Sequence, residues 1–94
     1  MPTAKSQTPG SKTRIQGVST EQTVKATAGL LHRIVLSNGG SSARTLTLTD
    51  GATVQNVINL KASETVVLDI GARFATSIKA TPSHAEVDAL IIYD

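Results

Sequence analysis

From Gln22 onward, apolar and polar side chains alternate with a period of two in short segments separated by turn residues, the pattern of half-buried strands. Arg44–Thr49 is the cleanest. Leu46 and Leu48 should point inward while Thr45, Thr47 and Thr49 point outward, and Asp50-Gly51 supplies a hairpin turn. Thr65–Ile70 repeats the pattern, with Val66, Leu68 and Ile70 inside, Asp69 outside and Gly71 as the stop. Further strands are predicted over Gln22–Ala28, Leu30–Ser37, Thr53–Leu60, Phe74–Ala80 and Glu86–Tyr93. The alternation falters at Asn56-Val57, which predicts a bulge there. In Leu30–Ser37 the face Leu30, His32, Ile34, Leu36 opposes Leu31, Arg33, Val35, Ser37. In the last strand Val87, Ala89, Ile91 and Tyr93 share one face. Leu90 and Ile92 make the other face apolar too, so this strand is expected in the centre of a sheet or beneath a neighbouring subunit.

No segment carries a helical period. About seven short strands at intervals of about ten residues predict an all-β protein, a small antiparallel β-sandwich or jelly roll with an extended N-terminal arm. Size sharpens the expectation. The chain has 94 residues and no Cys or Trp, so neither disulfides nor a large indole can reinforce its core, and stability shared with neighbours is expected. At 39% hydrophobic and 17% charged, it is too apolar for a wholly disordered chain and too polar for a membrane protein. It has neither the apolar run of a signal peptide nor one long enough to span a bilayer, which places synthesis in the cytoplasm.

Charge is distributed unevenly. Lys5, Lys12 and Arg14 are the only charged side chains before Glu21, whereas the remainder has six bases against seven acids. The basic character therefore belongs to residues 1–20, read as a flexible arm able to order against an acidic partner, and residues 21–94 form the sandwich domain.

The inventory argues against catalysis. The acids are scattered over turns and outer faces rather than paired, and no Gly-x-Ser-x-Gly elbow occurs. His32 is expected in the core or at an interface, and with Leu90 and Ile92 it makes up the candidate oligomer contacts. His84, Glu86 and Asp88 share a strand face at i, i+2, i+4, a spacing that three symmetry-related copies could turn into a metal site, although one strand rarely supplies a whole site. The folded part is slightly acidic and offers no aromatic platform beyond Phe74 and Tyr93, which argues against nucleic-acid binding. No cofactor or small-molecule substrate is expected.

Two stretches carry a resemblance. LLHRIVLSNGGSSARTLTLTDG (Leu30 to Gly51) and ETVVLDIGARFATSIKATPSHAEVDALIIY (Glu64 to Tyr93) resemble a family of small β-sandwich virion proteins of tailed bacteriophages. The shared elements are Ser37-Asn38 before a Gly/Ser loop, the Thr-alternating strand ending at Asp50-Gly51, Phe74-Ala75-Thr76, and Val87, Ile91 and Tyr93 in the last strand. The resemblance implies a capsid cement or decoration protein, homotrimeric, bound to the major capsid protein on the surface of the virion, with Lys5, Lys12 and Arg14 in a partner-binding arm. The alternative it leaves open is a tail- or fibre-associated module that binds another virion protein or a host-surface glycan.

Overall fold

The computed structural model describes residues 11–94. Eight antiparallel strands run in chain order as β1 (Ser11–Ile15), β2 (Gln22–Lys25), β3 (Gly29–Asn38), β4 (Arg44–Asp50), β5 (Thr53–Leu60), β6 (Thr65–Phe74), β7 (Ile78–Pro82) and β8 (Val87–Tyr93). They form two four-stranded sheets, sheet A in the order β1-β8-β3-β6 and sheet B in the order β2-β7-β4-β5. The result is the all-β sandwich that period-two alternation predicts.

The core comes from alternate residues of both sheets. Sheet A gives Ile15, Leu31, Ile34, Leu36, Phe74, Val87, Ala89 and Ile91; sheet B gives Val24, Leu46, Leu48, Leu60, Ile78 and Ala80. Most of these side chains are wholly out of water within one chain. Packing therefore closes without a neighbour, and any case for partners rests on the surface. Transfer of each Leu or Ile from water is worth about 1.5–3 kcal/mol, which makes these positions the main source of stability.

Several elements differ from the sequence expectation. Ser11–Ile15, expected in the flexible arm, is a strand hydrogen-bonded to β8 from Ser11↔Tyr93 to Ile15↔Ala89. Its single apolar residue, Ile15, enters the core, too weak a signal to mark a strand without the partner beside it. Lys12 and Arg14 thus belong to the sandwich, while Lys5 lies outside the described residues.

In β3 the pairing with both neighbours shifts between Leu31 and Arg33. His32 is the extra residue of this bulge, so Leu31, not Leu30, faces the core and His32 leaves it. On the other side, β6 does not stop at Gly71. It runs on to Phe74, with Gly71 at φ +60°, a left-handed conformation that glycine adopts without steric cost, absorbing the opposing irregularity. Phe74 ends that strand, and Ala75–Ser77 turn the chain into β7.

Polar residues hold each end of the sandwich. Asn38, at the end of β3, is buried; its Nδ2 donates to the carbonyls of Ser42 (2.8 Å) and Lys61 (3.0 Å), and its Oδ1 accepts the Gly40 N–H (3.0 Å). Asp50, at the end of β4, accepts backbone N–H groups from Ala75 (2.9 Å), Thr76 (2.8 Å) and Ser77 (3.3 Å). Those bonds stabilise the ionised carboxylate and hold its pKa below the ordinary value.

Candidate interaction surface

Outward positions of sheet A fall into rows set by strand register. One row runs Arg14, Leu90, Val35, Val67 across β1, β8, β3 and β6. The next runs Lys12, Ile92, Arg33, Asp69. Leu90, Ile92 and Val35 are half-buried by their neighbours, and Val67 on the outermost strand is 59% exposed. Four aliphatic side chains therefore form one band on the outside of the sheet.

Charges frame this band. Arg14 is bidentate on Asp88, Nε to Oδ1 at 3.1 Å and Nη2 to Oδ2 at 2.6 Å, and Arg33 Nε reaches Asp69 Oδ1 at 2.7 Å. Hydrogen bonding and charge from Asp88 raise the Arg14 pKa further, so this guanidinium is a fixed cation. A shallow depression of about 370 Å³ lies among Arg14, Val35, Ser37, Asp88 and Leu90. Its one carboxylate is already engaged by its one guanidinium, so it presents no acid–base pair.

Of the residues singled out in the sequence, Lys12, Arg14, Leu90 and Ile92 are brought together on this face. His32 is not. Its Nε2 lies 2.9 Å from Asp94 Oδ2 at one end of the sheet. Val35 and Val67 complete the band; their place in it depends on strand order, which alternation alone does not reveal.

His84, Glu86 and Asp88 do not form a ligand set. His84 Nδ1 accepts the Glu86 N–H (3.1 Å), the Glu86 carboxylate takes a bond from Arg44 Nη2 (3.2 Å), and Asp88 holds Arg14. Among the described residues no group of three His, Cys, Asp or Glu side chains is placed to hold a metal. The Gly/Ser loop after β3 is likewise committed to structure, because Asn38 at its start is turned inward to bind the loop backbone. Phe74 is buried and Tyr93 half-buried, its hydroxyl accepting from Thr13 Oγ1 (3.3 Å), so neither ring lies open for a sugar to stack on. No family model, curated protein or solved structure matches the chain.

Proposed function

We propose that this chain is a capsid cement or decoration protein of a tailed bacteriophage, a non-catalytic sandwich that lies on the outer surface of the shell and joins neighbouring copies of the major capsid protein. The observation that carries this reading is the aliphatic band Leu90, Val35, Val67 and Ile92 on the outside of a sheet whose inside is already filled. A sheet with one solvated face normally alternates apolar with polar. Here the central strands keep aliphatic side chains on both faces, which fits a surface that another protein covers. Lys12 and Arg14 at the β1 side add a cationic margin suited to an acidic counterpart on the shell. The resemblance of the Leu30–Gly51 and Glu64–Tyr93 stretches to phage virion proteins names the counterpart.

The test is composition and rebinding. Mass spectrometry of purified particles from the phage or prophage that encodes the chain should find it in many copies, and purified protein should re-attach to shells stripped of it. Particles that contain none of it, or stripped shells that bind none, sink the proposal. Truncation experiments must respect β1: removing residues 1–10 deletes Lys5 and leaves the strand, whereas removing 1–14 destroys the edge of sheet A.

A further inference from the structure

Each sheet has two edges, and these four strands, β1 and β6 in sheet A and β2 and β5 in sheet B, are not equally protected. An edge presents unpaired backbone N–H and C=O groups, and proteins blunt it with charges, kinks or shortness. β1 carries Lys12 and Arg14, which antiparallel self-pairing about Thr13 would set directly opposite each other as like charges. β2 is four residues long with an irregular register. β6 bears Asp69 and Arg73 and is kinked by Gly71 at φ +60°.

β5 is the least protected, its one irregularity being Gln55, passed over between Val54 and Asn56 in the pairing with β4. Its eight residues, TVQNVINL, include no charge, no proline and no glycine. Among the described residues it pairs with β4 alone. Val54 (58% exposed) and Val57 (48%) lie on it, two of the three large hydrophobic side chains most open to solvent in the described part of the molecule. The bulge at Gln55 is confined to the first half of β5, so Asn56–Leu60 pairs regularly with β4 and, among the described residues, has its other edge open.

We propose that this edge binds a second copy of the same chain. The two β5 strands pair antiparallel about a two-fold axis near Val57 and join the two B sheets into one continuous eight-stranded sheet. Charge selects this occupant. β5 is the one full-length edge among the described strands that can meet itself in any register without setting like charges opposite each other. The two-fold operation also brings the Val57 side chains, exposed beside Thr47, into each other's neighbourhood. The pairing is independent of what covers the outer face of sheet A. It is an isologous contact, unlike the head-to-tail contact of the trimer that the family resemblance implies.

Light scattering on the full chain after gel filtration tests the proposal. The unmodified protein should show twice the 9.8 kDa chain mass, falling to a single chain mass on dilution. Val57→Lys and Val57→Asp, each placing like charges across the axis, should weaken association on the order of tenfold. Mixing the two variants should restore the dimer, which shows that both remain folded. Val67→Lys, at a still more exposed position on β6, should leave the dimer intact. A single chain mass at the highest soluble concentration, three times the chain mass, or a dimer indifferent to charge at Val57 would each overturn it.

Discussion

The two sheets share one rule on the inside and follow different rules on the outside. Their inner faces are both apolar and complete one core. Outward, the centre of sheet B sets Thr47 between Thr81 and Val57, with Thr45 beside Asn59, whereas the centre of sheet A sets Leu90 beside Val35 and Ile92 beside Arg33. Threonine keeps strand propensity and still solvates its face, so Thr45, Thr47 and Thr81 on β4 and β7 show what a water-facing part of this chain looks like. Sheet A departs from that standard, and the departure is what supports the proposed contact on this face. Their fastenings differ as well. A central strand of sheet A, β3, ends in the buried, neutral Asn38, and one of sheet B, β4, in Asp50, a half-buried carboxylate that accepts its bonds most strongly when ionised.

The largest effect should come from the buried fastening. Asn38→Ala removes the acceptor of the Gly40 N–H and the donor to two carbonyls at a site shut off from water. A loss of about 2–4 kcal/mol of stability is expected, independent of pH and read by urea denaturation. A change below experimental error would mean that the loops Gly39–Ala43 and Lys61–Glu64 hold each other without it.

Next in size is the contrast between the faces. Leu90→Asp should weaken attachment to stripped shells by about tenfold or more, because it buries a carboxylate in the aliphatic band. Thr47→Asp on the other face should leave attachment unchanged, and melting curves should show both variants folded. Equal losses would erase the distinction between the faces.

Much of this contrast was legible in the alternation. Thr45 and Thr47 outside against Leu46 and Leu48 inside, and the central position of a last strand apolar on both faces, follow from a period of two. What alternation could not show is which strands adjoin. Val35 and Val67 join Leu90 only because β3 lies between β8 and β6, a fact of topology. A bulge was equally hidden: one inserted residue at His32 exchanges the faces of Leu30 and Leu31, and nothing in the local sequence signals it. β1 escaped because a five-residue strand with one apolar side chain takes its stability from pairing with β8 rather than from its own pattern. Asp50-Gly51 was readable as a turn, but not the reach of its carboxylate to residues 75–77.

Acid should distinguish the two fastenings. The Asp50 pKa is lowered in the folded protein by the N–H groups of Ala75 and Thr76, then Ser77, so the unfolded chain takes up the proton first as pH falls. Its contribution is complete above the unfolded value near 3.8 and is lost as pH drops through the lower folded value. Denaturation midpoints should therefore decline below about pH 4. Asp50→Asn, which keeps one acceptor oxygen but cannot titrate, should flatten part of that decline while Asn38→Ala retains all of it. An identical acid profile for Asp50→Asn and the unmodified chain would assign the loss to other carboxylates.

The smallest effect on stability should come from Arg14→Ala, and its smallness is the point. The Arg14–Asp88 pair is well formed at 2.6 Å, yet the Arg14 side chain is 60% exposed, so water and salt screen most of its attraction. The melting temperature should barely move. If Arg14 serves the partner, shell attachment should weaken at low ionic strength and lose part of its salt dependence, since one cation of the margin is gone. The same melting temperature with an unchanged salt profile would leave the aliphatic band as the whole of the contact. A drop in melting temperature comparable to that of Asn38→Ala would mean instead that the charges framing sheet A hold β1 in place, and that this face differs from its counterpart for the sake of the fold.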